Sequence, residues 1–503
     1  MSRSFSPDVV GIDIGTTGAR AVRVDAAGAI VASASASYPL LTPEPGWTEQ
    51  EPEAWWRAAA TAVGEVVAAR DVAVAGVGVT GQMHGSVFLD ERGVPLRPAL
   101  LWNDQRTARA ADELERAVGA GRLRALTGNP ALTGFQAPKI LWFREHEPER
   151  FARLRTILLP KDFLRYRLSG TLATDVSDAS GSSLLDLRTR GWSPEILRAL
   201  DLSAELLPEV FESPAVVARV SAAASAETGL AAGTPIVAGA GDNAAAAVGS
   251  GIVRPGDALV SLGTSGVALA HAAEPLIDGS GALHAFCAAV PGEYHLMGVI
   301  LSAGGSLRWA RDVLGADASF EALVAEAATV PAGALGVTFL PYLAGERTPH
   351  MDPAARGAWL GLSLAHGRPH LVRAVLEGVA YGLADAVDAM RALGVDPAGF
   401  ARTGSGFASE LWTTIVASVL ERPLRRAADE GPAYGAALLA SVGAGAHASV
   451  AAAVEAFSPS RGETTEPVAA DATTYRRGLA RYRAAYPALH ALDRSAPGDS
   501  HDG

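Results

Sequence analysis

Runs of nearly continuous apolar residues alternate along this chain with stretches whose apolar residues recur at helical spacing. VVGIDIG (9–15), VAGVGVT (74–80), ALVSLGTSG (258–266) and GVTFLPYL (336–343) are of the first kind, rich in Val and Ile and bounded by Gly. Such runs predict strands covered on both faces. EAWWRAAATAVGEVVAAR (53–70) is of the second kind, with an apolar stripe that predicts an amphipathic helix. The alternation predicts layered α/β architecture. The stretch 435–457 is also apolar, but it is built from small residues and interrupted by GAGAH, so it predicts two short buried helices and no membrane span.

One pattern recurs. GIDIGTTGARAVRVD (11–25) and LVSLGTSGVALAHA (259–272) each read as an apolar strand, a Gly-Thr-Thr/Ser-Gly turn and a second strand. A hairpin of this kind leaves N–H groups and hydroxyls at its tip, and glycine there lets a ligand approach the backbone closely. Two copies about 250 residues apart suggest duplicated domains that address one phosphate. The length of 503 residues also favours two domains. The expected division is 1–248 and 249–490, with the hinge in AVGSGIVRPGD (247–257) and a disordered tail at 491–503.

Composition narrows the field modestly. A net charge of −12 disfavours nucleic acid as the main partner. The lone Cys287 excludes an intrachain disulfide and a cysteine metal cluster. The first 15 residues lack the apolar core of a secretory signal, so a cytoplasmic enzyme is expected. No His, Asp and Glu spacing marks a zinc site, and no local motif supports a Ser-His-Asp arrangement.

AGAGDNAAAAVG (238–249) sets one carboxylate, Asp242, and one amide, Asn243, among Ala and Gly. An ionised group there is either a helix N-cap or a working carboxylate in a cleft. Six further segments appear in order with it: GQMHG (81–85), LWNDQR (101–106), LLPKDFLRYRLSG (158–170), SLGTSGV (261–267), YLAGERTPHMDP (342–353) and the first hairpin. Together they resemble the FGGY carbohydrate kinases, over roughly residues 8–440.

The resemblance implies a two-domain actin-like ATPase fold (a duplicated ribonuclease H-like α/β fold) with a central cleft. It implies a sugar-binding first domain, a nucleotide-binding second domain, ATP and Mg²⁺. The implied reaction is phosphorylation of a ketopentose, D-xylulose, to its 5-phosphate. The alternatives are another pentulose or pentitol (ribulose, L-xylulose, arabinitol), or a non-kinase ATPase of the same fold. A homodimer stays open. By position in the family pattern, Asp242 is the general base and Met83 and His84 contact the sugar, joined by Asn243. Gly15, Thr16, Thr17 and Arg20 face the nucleotide phosphates, and Asp13 serves the metal. Thr264 and Gly304 lie on the nucleotide side, and Gly404 and Gly406 belong to the adenosine motif. Here that motif reads GSGFASELW (404–412), with Ser405 for a glycine and Ala408 for a basic residue.

Chemistry agrees with these roles. A carboxylate within hydrogen-bond reach can orient an alcohol and accept its proton. The small neighbours of Asp242 are expected to leave substrate room. Asp13 beside polyphosphate requires a divalent cation, directly or through water, unless it only caps the turn. His84 follows a strand, at the edge where α/β sheets bind ligands. Trp102 is either core or a packing face for the sugar. Asn103 and Asp104 either bind hydroxyls or cap the next helix. Glu346 and Arg347 sit in a Pro-bounded loop that is structural or functional.

Overall fold

The computed structural model describes residues 8–315, 317–427, 431–457 and 462–495. It divides into two compact units that do not follow chain order. The first holds the described residues up to Pro255, His271–Leu296, and the helices Gly431–Gly443 and Val450–Phe457. The second holds Gly256–Ala270, Met297–Ala427 and the described residues from 462 onward. Its last helix ends at Ser495, and 496–503 lie outside the described residues.

The first unit is built on a mixed sheet. Strands β1 (Asp8–Ile14), β2 (Gly18–Val24) and β3 (Ile30–Ser37) form an antiparallel meander. Strand Val74–Gly81 runs parallel to β1, and Pro235–Val237 and Ala240–Gly241 run parallel to Val74–Gly81. All but one residue of β1 are buried, as the unbroken apolar run predicts. At the edge, β3 alternates half-buried and exposed residues through IVASASAS.

Alternate side chains of β1 feed two cores. Val10, Ile12 and Ile14 pack with Trp55, Trp56, Ala59 and Val63 of the helix Pro52–Ala68. Val9 packs with Val22, Val24 and Leu438 on the opposite face. Glycine controls how closely that second layer approaches. A Cβ on Gly11 would stand 1.8 Å from the Ala433 carbonyl oxygen, and one on Gly78 would stand 1.9 Å from that of Ala436. The helix Gly431–Gly443 therefore lies directly on the backbone of the sheet.

The second unit repeats the scheme. Ala258–Leu262 forms an antiparallel hairpin with Gly266–Ala272 and runs parallel to Phe400–Thr403. Leu424–Arg426 and Thr464–Thr465 extend that sheet. Both Gly-Thr sequences are thus tight hairpin tips, closed by Gly15 N–H to the Gly18 carbonyl (3.0 Å) and Gly263 N–H to the Ser265 carbonyl (3.0 Å).

Gly78→Ala must push a backbone carbonyl aside, and is expected to destabilise by about 1–3 kcal/mol, the usual cost of overpacking. Gly121→Ala, on an exposed helix with no atom within 4 Å of the new Cβ, should be neutral or mildly stabilising. Urea midpoints of the two variants check this; an unchanged midpoint for Gly78→Ala would contradict the packing described.

Candidate active site

Strand register assembles the site of the first unit. Asp13 and Ile14 of β1 stand opposite Thr80 and Gly81, and Ala240 and Gly241 flank the same pair from the other side. Three neighbouring strands therefore end level, and each leads into one of the segments singled out in the sequence, at the edge where α/β sheets bind ligands. β1 leads into the Gly-Thr tip, Val74–Gly81 into Gln82-Met83-His84, and Ala240–Gly241 into the helix Asp242–Gly249.

Asp242 is half-buried and opens its helix, but the N-cap position belongs to Gly241. The capping reading of its carboxylate falls for that reason. Oδ1 accepts the backbone N–H of Asn243 at 2.7 Å and its side-chain amide at 3.0 Å. Burial pushes the carboxyl up to about 6 despite those two donors. Burial first, and then the Asp242 carboxylate, push Asp13 up to about 7, against the pull of the Arg20 guanidinium. Arg20 faces Asp13 across the β1–β2 ladder.

The small residues around Asp242 also permit close backbone packing. Gly239 lets the chain pass the Val79 carbonyl, and Gly241 lies where a Cβ would come within 2.9 Å of Met83 Cγ. Gly435 meets the Ala245 carbonyl at a distance no side chain allows.

Met83 lies beside the start of the Asp242 helix, and His84 follows it in the chain. The Asn243 amide nitrogen is 3.7 Å from Met83 Sδ. His84 has φ 67°, a left-handed conformation rare outside glycine, and its Nδ1 lies 2.7 Å from the Gly181 carbonyl oxygen. Its ring stacks on Phe135 with centroids 4.2 Å apart. Lys139 Nζ donates to the His84 carbonyl at 3.1 Å, and burial brings this ammonium down to about 7. Gly181 makes room, since a Cβ there would stand 2.7 Å from the His84 ring.

Trp102 is 45 % exposed, so the core reading fails. Its indole N–H donates to Thr16 Oγ1 at 3.1 Å, and Thr16 reaches Gln82 Oε1 at 3.4 Å. Gln50 ties this group together through the Thr16 carbonyl (2.7 Å) and Gln82 (2.9 Å). Tyr38 donates to the Gly15 carbonyl. Thr17 is exposed at the tip. Asp104 needs correction: it is fully buried, paired with Arg106 and accepting the Thr48 N–H at 2.7 Å. Asn103 accepts the Thr48 hydroxyl at 2.8 Å, and neither residue caps a helix.

Sequence reasoning gave no role to Lys161, Asp162, Arg165, Asp175 or Asp178, which form a buried ionic cluster in this unit. Lys161 and Asp162 lie within one of the quoted segments, but only the fold brings Asp175 and Asp178 to them. Burial, the carboxylates of Asp162 and Asp175 and that of Asp242 hold Asp178 well above the ordinary range, against the pull of Lys161.

In the second unit, Thr264, Gly304 and Gly406 line one cavity of about 620 Å³ together with Ser405, Ala408, Arg308 and the apolar Leu307, Phe320 and Val324. Gly404, with φ 93°, ends its strand but does not line the cavity. Gly304 starts the helix Gly304–Leu314, and a Cβ there would meet the Gly263 carbonyl at 2.5 Å. N–H groups at such a helix start favour anions. A smaller cavity of about 330 Å³ is lined by Asp388, Arg391, Glu421 and Arg476, whose charges pair among themselves. Glu346 is buried, with Oε1 accepting the N–H of Leu301 (3.0 Å) and Arg347 (2.7 Å), which makes it a pin for its loop. Burial pushes Cys287 up to about 12, an inert thiol.

Among the described residues no cluster of three or more His, Cys, Asp or Glu could cage a metal ion. Mg²⁺ needs less, since one or two carboxylates and substrate phosphates suffice. Asp13 fits that demand: its Oδ1 is buried and has no hydrogen-bond partner among the described residues. No described helix is long and apolar enough to cross a membrane.

Duplicated α/β units with paired Gly-Thr hairpins and a carboxylate at a strand end define a sugar-kinase fold. Residues 9–249 match the N-terminal domain and 258–444 the C-terminal domain of the FGGY family of carbohydrate kinases. The chain belongs to that family and is a kinase. It is 43 % identical over 440 residues to the xylulose kinase of Escherichia coli (strain K12), covering 86 % of this chain and 90 % of that one. The crystal structure of xylulose kinase from Rhodospirillum rubrum superposes with TM-score 0.91 at 33 % identity, covering 96 % and 99 %. That of gluconate kinase from Lactobacillus acidophilus gives 0.92 at 27 %, covering 96 % and 98 %.

A carboxyl whose folded pKa is raised favours folding at low pH, and that contribution is lost as pH rises through the folded value. Asp242→Asn is therefore expected to stabilise the protein at pH 8 by about 1–2 kcal/mol, discounted for its partial exposure. The gain should shrink at pH 5, below the folded value of about 6. Thermal melts at the two pH values check it.

Proposed function

We propose that this kinase transfers the γ-phosphoryl group of ATP to D-xylulose, with Asp242 as general base. The observation that carries the reading is a carboxyl lifted to about 6 at the strand end beside Asn243 and Met83. Such a group is ionised at neutral pH yet a better proton acceptor than an ordinary Asp. Both bonds from Asn243 fall on Oδ1. That leaves Oδ2 to receive the sugar hydroxyl, whose proton passes to the carboxylate as the oxygen–phosphorus bond forms and the bond to ADP breaks.

Met83 and His84 offer the sugar an apolar and a polar contact, and exposed Trp102 offers a packing face. The first domain (1–248) binds sugar and the second (249–490) nucleotide in this reading, within the cytoplasm. The Gly15-Thr16-Thr17 tip and Arg20 address the phosphates, as do Thr264 and the helix start at Gly304. The cavity with Gly406, next to Gly404, receives the nucleoside. Asp13 would hold Mg²⁺, which when bound neutralises phosphate charge.

The gluconate kinase match at equal structural similarity shows that this fold serves different sugars. A different pentulose or pentitol is therefore the second reading. The 43 % identity to a xylulose kinase favours D-xylulose.

ADP release from Mg-ATP with D-xylulose, D-ribulose, L-xylulose, D-arabinitol, D-gluconate or no sugar tests this. D-xylulose should stimulate most, and Asp242→Ala should cut that rate about 100- to 10,000-fold. Sugar-independent turnover would overturn the kinase mechanism, and another preferred sugar would overturn only the substrate. Gly304→Val should raise the KM for ATP about tenfold, or ~1.4 kcal/mol, while leaving the KM for sugar nearly unchanged.

A further inference from the structure

The buried ionic cluster reaches the segment before Asp242 at two points, Arg165 donating to the Ala238 carbonyl at 2.7 Å and the Ser177 hydroxyl meeting Gly241. Lys161 Nζ lies 2.6 Å from Asp162 Oδ1, 2.9 Å from Asp175 Oδ1 and 3.5 Å from Asp178 Oδ2. The other Asp175 oxygen, Oδ2, accepts from Ser177 N–H (2.8 Å), Ser177 Oγ–H (2.6 Å) and Ser213 Oγ–H (2.8 Å). Ser177 Oγ in turn accepts the backbone N–H of Gly241 at 3.1 Å. Lys161, Asp175, Ser177 and Ser213 are all fully buried.

Gly241 is the residue before Asp242. Its other neighbours constrain it too: it stands opposite Gly81 in the sheet, and Met83 fills the space where its side chain would be. Adjacent Cα atoms are about 3.8 Å apart, so a shift of the Gly241 amide passes directly to the carboxylate. A hydroxyl fixed by a carboxylate, itself fixed by a buried ammonium, has little freedom to move. Arrays of this kind are costly to bury and stabilise little unless fully satisfied. Their worth lies in holding geometry.

We infer that Ser177, oriented by Asp175 and Lys161, is the positioning residue of the base. It fixes the Gly241 N–H and thereby where the Asp242 carboxylate meets the sugar hydroxyl. The inference rests on Asp242 being the base. Misplacing a reacting group by about 1 Å costs on the order of 100-fold in rate.

The test compares Ser177→Ala, Ser177→Thr and Asp242→Asn in the full chain with Mg-ATP and D-xylulose, following kcat, both KM values and the pH profile. The groups that face Asp242 electrostatically are Asp13 from β1, Asp178 from the segment Val176–Ala179, and its neighbour Asn243. Behind Asp178 stand Lys161, Asp162 and Asp175. Removing the hydroxyl releases the start of the helix toward solvent. The acid limb of kcat/KM, which reports the free enzyme, should then move down from about 6.

For Ser177→Ala the expected result is a kcat lowered about 10- to 100-fold with an unchanged KM for ATP and a shifted acid limb. Ser177→Thr, which keeps the hydroxyl, should restore most of the rate. If Ser177→Ala keeps kcat within about twofold and the same acid limb while Asp242→Asn is inactive, the positioning role falls and the base survives. If Ser177→Ala and Ser177→Thr lose activity equally without moving the limb, Ser177 is merely structural and the inference is overturned. If Asp242→Asn stays active, the base assignment itself fails, whatever Ser177 does. Should Ser177→Ala not fold, Ser177→Cys is read by the same criteria.

Discussion

Two half-buried carboxylates within each other's field are the constraint around which the first unit is organised. Asp13 lies on one of the two strands that flank Val74–Gly81, and Asp242 directly follows the other, so the shared register keeps them close. Each carboxyl is driven upward, Asp13 more than Asp242, and Arg20 relieves only part of the strain. Phosphate chemistry explains why such an unfavourable pair is tolerated. In the proposed reaction one carboxylate receives a proton and the other suits a cation, and both tasks need the groups close.

Glycine makes that closeness possible. Gly11 and Gly78 let a helix rest on the sheet, Gly239 and Gly241 let the strand before Asp242 slip past Val79 and Met83, and Gly181 clears the ring of His84. The same device recurs in the second unit, where Gly304 and Gly404 approach the backbone at Gly263 and Leu262. Duplication is therefore visible twice, in hairpin topology and in the glycines at strand ends.

The hairpins and the strand-end motifs were legible because each is a local pattern: a Gly-Thr tip or a Met-His pair needs only its neighbours. The two short helices of 435–457 were legible for the same reason. Contacts distant in sequence were not. Nothing near Asp104 announces that Thr48 shares its carboxylate, and nothing in AGAGDNAAAAVG reveals that Ala245 faces Gly435. Lys161 and Asp175 are ordinary charged residues until the fold buries them together. Small residues around a carboxylate read as substrate space, and backbone packing at Gly239 and Gly241 makes the same demand.

The helix Gly431–Gly443 has a consequence for how the protein comes into being. It completes the core of a unit whose strands lie almost wholly within the first half of the chain. During synthesis, the glycine face of β1 and Val74–Gly81 must wait for some 350 further residues to leave the ribosome, at about 5–20 residues per second. For tens of seconds the nascent first half is a sheet with one open side, which makes it a natural client for chaperones.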